Sequence, residues 1–201
     1  MNFLIFDTET NGFPPKARMT QLAFMLVDEY GNELKTYETL IKPDGWVIPG
    51  KQYWLDKGYS EEQAIKKGGF FDDNNMSTER CEAKGIPVFE ALRQFQDHLK
   101  LAHVKVAHNI AFDNKILTKE IDLAGITPEL FRFKKGLCTM ASTTNLLKLP
   151  GKYNSYKWPK LEELHRYLFN EDFEDAHDAL ADVRATKRCL IELIKRGILK
   201  V

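Results

Sequence analysis

The sequence predicts one α/β domain on a single mixed sheet, antiparallel in its first part and parallel in its second. Three observations carry this. The segments run strand, hairpin, then helices alternating with short strands. A chain of 201 residues suits one domain and can bury roughly 70% of its unfolded surface, so it needs no disulfide or metal to fold. No repeat, linker or low-complexity segment divides it, and residues 1–201 read as a single domain.

Residues 2–6 are a short run of aromatic and branched side chains, the signature of a buried strand. Residues 21–28 and 34–41 form two more strands, joined through Glu29-Tyr30-Gly31-Asn32 as a hairpin. Asp44-Gly45 and Pro49-Gly50 break the pattern. Residues 54–67 are weakly helical, with Ser60 as N-cap and Glu61 and Glu62 in the first turn. Residues 68–85, with the tract Asp72-Asp73-Asn74-Asn75, read as a mobile surface loop. Residues 88–101 are apolar at helical spacing, and Pro87 suits the helix start. Residues 104–107 are a strand, 112–124 a helix closed by Gly125, and 136–138 a short strand. Helices follow over 140–147, 160–168 and 178–195, the last closed by Gly197.

Lys plus Arg number 29 and so do Asp plus Glu, giving zero formal charge. That argues against a non-specific duplex coater, which carries a large basic excess, and leaves open a nucleic-acid enzyme with segregated charge. No apolar stretch approaches the roughly 18 residues of a membrane helix, and the apolar start lacks the basic flank of a signal peptide. Cys81, Cys138 and Cys189 are odd in number and lack C-x-x-C spacing, so they are expected as reduced thiols in a cytoplasmic protein.

Asp7 and Glu9 stand where the first strand ends, and residues i and i+2 of an extended segment share a side. Ligand sites of α/β sheets lie at such carboxyl ends. The segment His108-Asn109-Ile110-Ala111-Phe112-Asp113 joins a strand to a helix. The segment His177-Asp178-Ala179-Leu180-Ala181-Asp182 opens the last helix, and both ends reach one cleft if His177 precedes the helix. Any one of these segments alone reads as a turn or a cap. Together they converge on one sheet edge. Four carboxylates there would raise one another's pKa values unless cations occupied the site. All-oxygen ligands suit Mg²⁺ or Mn²⁺, and two such ions can serve a phosphoryl transfer.

Asp7-Thr8-Glu9-Thr10, His108-Asn109-x-x-Phe112-Asp113 and His177-x4-Asp182 resemble, in order and spacing, the three motifs of the DEDDh 3′→5′ exonuclease superfamily. This group includes the proofreading (epsilon) subunit of DNA polymerase III and ribonuclease T. The resemblance implies a ribonuclease H-like five-stranded sheet flanked by helices, and removal of nucleoside monophosphates from 3′ ends. It implies two divalent ions: Asp7, Glu9 and Asp182 around the first, Asp7 and Asp113 around the second. His177 would be the general base. Thr8, Thr10, Phe13, His108 and Asn109 are the expected substrate contacts, with Phe13 wedged against the terminal bases. Expected partners are 3′ ends of single-stranded DNA or RNA, with a DNA polymerase as a further candidate and no membrane; oligomeric state stays open. The chain departs from many relatives at Lys57-Gly58-Tyr59-Ser60-Glu61, where Lys57 replaces a His.

From Arg132 to Lys160 seven basic residues occur with no acid, interleaved with Phe133, Tyr153, Tyr156 and Trp158. The run reads as a phosphate-tracking face, while Phe133 and Trp158 individually are expected in the core. Two competing classes remain: a phosphatase with an aspartyl nucleophile, which has no use for His177-x4-Asp182, and a non-catalytic nucleic-acid or polymerase-binding module of the same fold.

Overall fold

The computed structural model describes residues 1–153, 155–173 and 177–200. Three strands come first: β1 (Asn2–Thr10), β2 (Met19–Asp28) and β3 (Glu33–Leu40). Then follow α1 (Lys51–Asp56), α2 (Glu61–Asp73), α3 (Thr78–Lys84), α4 (Val88–Leu101), β4 (Val104–Ala107) and α5 (Ile110–Leu123). The last part holds α6 (Glu129–Phe133), β5 (Gly136–Cys138), α7 (Thr139–Leu147), α8 (Leu161–Phe169) and α9 (Ala179–Lys195). The strands form one sheet in the order β3-β2-β1-β4-β5. β1 pairs antiparallel with β2, and β2 with β3; β1–β4 and β4–β5 are parallel. This is the mixed, helix-flanked, ribonuclease H-like sheet expected from the motifs.

The pleat of β1 sorts its side chains onto two faces. Leu4 and Phe6 enter a core with Leu92, Phe95 and Leu99 of α4 and Ile116, Leu117 and Ile121 of α5. Phe3 and Ile5 point the other way, into a core with Ala179, Val183 and Leu190 of α9. Phe95 stacks edge-on against Phe6, Phe24 and Phe131 at centroid distances of 5.4, 5.6 and 5.9 Å. Burying each such ring stabilises the fold by about 1.5–3 kcal/mol. The β2–β3 turn forms where the composition placed it: Asp28 accepts the Tyr30 and Asn32 amides, both at 2.9 Å, and Gly31 takes φ +87°.

Three expectations are corrected. First, β1 does not end at Phe6 but runs on to Thr10, so the acids of the first motif are strand residues. Second, the segment 68–85 is not a surface loop. Helix α2 opens at the Ser60 capping box as expected but continues through Gly68-Gly69 to Asp73, and Ser77 caps α3. Gly68 is needed for contact: a Cβ there would sit 2.4 Å from the Gly50 carbonyl carbon. Asp72 of the acidic tract accepts the Lys51 amide at 2.7 Å and so caps α1. Third, Phe133 and Trp158 lie outside the core, 84% and 70% exposed. In the short helix α6, Phe131 takes the inward position and is buried, which turns Phe133 two residues later toward solvent. Among the described residues no helix is long and apolar enough to cross a membrane.

Candidate active site

The face on which Asp7 and Glu9 lie follows from the same pleat. They continue the odd-numbered row of Phe3 and Ile5 and therefore point toward α9, which carries Asp182. Thr8 continues the even row toward α5, which carries Asp113. The Thr8 amide and hydroxyl both donate to Asp113 Oδ1, at 3.1 and 2.9 Å, joining the first motif to the second. Asp113 is buried, yet this bond set engages one of its oxygens and leaves Oδ2 for another ligand.

The third motif arrives as one continuous device. Asp178 is the N-cap of α9, accepting the Leu180 and Ala181 amides at 3.1 Å each. Its second oxygen accepts from Gln21 of β2 at 3.1 Å, and Gln21 also donates to Glu38 of β3 at 2.8 Å. The helix start is thus fixed to the sheet. His177 precedes the cap at φ +74°, and its backbone amide donates to the Asp182 carboxylate. Glu9, His177 and Asp182 each offer one ligand atom, and these atoms lie within 4.8 Å of one another.

The electrostatics of this edge are unfavourable for the acids alone. Among the described residues none of Asp7, Glu9, Asp113 and Asp182 takes part in an ion pair. Burial first, then the charges of Asp113, Asp182, Glu9 and Asp178, hold the Asp7 carboxyl well above the ordinary carboxylate range. Burial, then Asp182, Asp113 and Asp178, push Glu9 up to about 8. Burial raises Asp113 to about 7 against the opposing Thr8 hydrogen bonds. Burial likewise raises Asp182 to about 7, opposed by the His177 amide and aided by the charges of Glu162, Asp178 and Asp113. Two like unit charges 4 Å apart repel by about 4 kcal/mol at an effective dielectric of about 20. Converging carboxylates without basic partners are the donor set of a hard divalent cation, so the residues present fit Mg²⁺ or Mn²⁺.

The remaining expected residues take distinct places. Phe13 is 84% exposed on a turn tied to α5. There Lys119 donates to the Pro15, Lys16 and Ala17 carbonyls at 3.0, 3.1 and 2.9 Å, and Glu120 holds Arg18 at 2.8 Å. The Thr10 hydroxyl donates to the Gly12 carbonyl at 2.7 Å and closes that turn. Asn109 takes the left-handed conformation, φ +66°, and starts α5. His108 is occupied at both ring nitrogens: Nε2 lies 2.9 Å from the Pro159 carbonyl and Nδ1 3.0 Å from the Thr139 hydroxyl. A carbonyl only accepts, so Nε2 carries the proton and neither nitrogen is free for a substrate. His108 positions the motif by tying β4 to α7 and α8.

Sequence reasoning missed the far wall. A cleft of about 410 Å³ opens beside Glu9, between Phe13 and Phe112 on one side and Lys66, Phe70 and Phe71 of α2 on the other. The helix start at Ser60 was expected, and what was missed is its continuation beyond Lys67, which carries Phe70 and Phe71. A larger cavity, about 720 Å³, lies between Pro14-Pro15 and the outer side of α5, away from the carboxylates.

No family model matches the chain. Over 197 residues it is 25% identical to a protein of Escherichia phage 186 named uncharacterized exonuclease CP81, covering 96% of this chain and 89% of that one. Its fold matches E. coli exonuclease I in complex with a dT13 oligonucleotide at a TM-score of 0.68 and 19% identity, over 98% of this chain and 41% of that one. Exonuclease I from Methylocaldum szegediense matches at 0.67 and 21% identity, over 97% and 40%. The chain therefore spans about two-fifths of the length of the exonuclease I chains whose fold it shares.

Proposed function

We propose that the chain is a DEDDh-type 3′→5′ exonuclease that hydrolyses single-stranded DNA from its 3′ end and releases nucleoside monophosphates. The observation that carries this reading is the convergence of Asp7, Glu9, Asp113, His177 and Asp182, drawn from three separate segments, on one edge of the sheet. The phage relative named as an exonuclease, and exonuclease I structures holding oligodeoxynucleotides, favour this activity and DNA as the substrate.

In this reading Asp7, Glu9 and Asp182 hold one divalent ion, and Asp7 with Asp113 holds a second. When bound, such a pair stabilises the attacking and leaving oxygens of a phosphoryl displacement. Thr8 orients Asp113 so that its free oxygen faces the site. His177, exposed and beside Glu9 and Asp182, accepts at a ring nitrogen the proton of the attacking water. The aromatic cleft of Phe13, Phe70 and Phe112 receives the terminal base by stacking, and Lys66 lies within reach of its phosphate. With its three cysteines as free thiols, the chain is suited to a reducing cytoplasm.

The test is a digest of oligonucleotides labelled at the 3′ or the 5′ end, DNA beside RNA, with Mg²⁺, Mn²⁺ or EDTA and no polymerase present. Loss of the 3′ label as mononucleotide in Mg²⁺, abolished by EDTA, is the expected result. Release of the 5′ label first, or full activity in EDTA, overturns the reading.

A further inference from the structure

The basic run 132–160 does not form one face. Arg132 pairs with Asp122 at 3.3 Å, and Lys134 donates to the Ala102 carbonyl at 2.7 Å. The Lys135 carbonyl accepts the Lys105 amide. These three residues stand where β4 and β5 begin, at the edge of the sheet opposite the carboxylates. Lys148, Lys152, Lys157 and Lys160 instead surround a small hairpin that follows α7. Pro150 bridges Tyr156, the Gly151 amide donates to the Ser155 carbonyl at 2.9 Å, and the Lys157 amide donates to the Leu149 carbonyl at 3.1 Å. A Cβ on Gly151 would meet Ser155 O at 2.5 Å, so the two arms are packed backbone to backbone. Beside these contacts Tyr153, Trp158 and Tyr156 are exposed by 99%, 70% and 45%. The hairpin's foot is at the candidate site: the Pro159 carbonyl accepts from His108, and Glu162, three residues further on, acts electrostatically on Asp182.

Aromatic rings that remain in water among lysines, with no acid from Arg132 to Lys160, are poor core material and match the stacking platforms of single-strand binders. We propose that this hairpin holds the single-stranded segment lying 5′ of the terminal nucleotides, with Tyr153 and Trp158 stacking on unpaired bases and Lys148 and Lys152 following the phosphates. The inference rests on the exonuclease reading and adds a second contact zone that short substrates do not reach.

The experiment compares the full wild-type chain with Tyr153→Ala/Trp158→Ala and Lys148→Glu/Lys152→Glu. Cleavage of dT4 and dT20 is followed in Mg²⁺, and binding of fluorescein-labelled dT20 is followed by anisotropy in EDTA. At about 1–3 kcal/mol per stacked base, the aromatic double variant is expected to raise KM for dT20 by roughly ten-fold or more, with kcat and dT4 cleavage unchanged. The lysine variant is expected to flatten the salt dependence of dT20 binding. An unchanged KM for dT20, or equal losses on dT4 and dT20, overturns the proposal. If the wild type cleaves neither oligonucleotide, the exonuclease reading fails by itself. The binding surface is then judged by anisotropy alone, where unchanged affinity of both variants overturns it.

Discussion

The rings of Phe70 and His177 meet edge to face, their centroids 5.1 Å apart. One comes from α2 and the other from the left-handed turn before α9, so a helix with no place in the three motifs touches the candidate base. An aromatic pair of this kind contributes about 0.5–1.5 kcal/mol. Phe70→Ala is therefore expected to lower kcat/KM by roughly two- to twelve-fold, and Phe70→Tyr to restore most of it. Steady-state kinetics on dT4 measure this; wild-type rates for Phe70→Ala would remove Phe70 from the site.

His177→Ala should slow turnover by roughly 10²–10⁴, the usual worth of a general base, while leaving metal-dependent substrate binding intact. The single-turnover rate against pH is the measurement. A variant that keeps the wild-type rate and pH profile would assign the proton to another group.

Glu9, Asp113 and Asp182 titrate in the folded chain near 8, 7 and 7, above the ordinary carboxylate range. The fold thus holds protons that the unfolded chain has already released, and their stabilising effect is lost as pH rises through these values. In EDTA the melting temperature is expected to fall between pH 6 and 9, and Mg²⁺ is expected to reverse the fall because the ion replaces the protons. Asp182→Asn should flatten the curve. A melting temperature independent of pH and of Mg²⁺ in this range would contradict the clustering of the acids.

Two adjacent glycines of α2 should respond in opposite directions to alanine. A Cβ on Gly68 would collide with the Gly50 carbonyl carbon at 2.4 Å, whereas one on Gly69 meets nothing closer than Ile65 Cγ2 at 3.5 Å. Helix propensity favours alanine by about 1 kcal/mol at both positions, and only Gly69 can realise the gain. Gly68→Ala is expected to destabilise by about 1–3 kcal/mol through backbone displacement. Urea denaturation of the two variants decides this.

Lys105 is buried in β4, its Nζ donating to Asn114 Oδ1 at 3.0 Å and the Phe131 carbonyl at 2.8 Å, and burial lowers its pKa to about 8. The fold prefers the neutral amine, so this residue's contribution to stability is full above the unfolded value near 10.5 and is lost as pH falls through 8. The stability difference between wild type and Lys105→Met should therefore shift in favour of the wild type from pH 8 to 10. A difference that does not change over that range would show that Lys105 keeps its charge.

Much of this architecture was legible in the chain because local rules and tertiary packing agree. Helix α4 falls on residues 88–101 as its apolar spacing requires, and β5 on 136–138. The carboxylates were legible as three motifs in order along the chain, although Asp7 and Glu9 lie inside β1 and not at its end, and the cap at Asp178 forms as the motif demands. Only the second half of helix α2 was hidden, because Gly68-Gly69 reads as a breaker; Gly68 is there for contact with Gly50, a partner no local pattern discloses. His108 looked like a substrate contact for a similar reason: its two partners, Thr139 and Pro159, are distant in sequence. The exposure of Phe133 and Trp158 runs against the average for aromatic residues, on which their expected burial rested.

The alternation along β1 limits how this chain can vary. Phe3 and Ile5 share a side with Asp7 and Glu9, and Leu4 and Phe6 share the opposite side with Thr8. Losing or gaining one residue ahead of Asp7 would exchange the two rows, presenting a hydroxyl to α9 and carboxylates to α5. Descendants of this sequence can trade one apolar side chain for another in that strand, but a single-codon insertion or deletion there turns the carboxylate edge inside out.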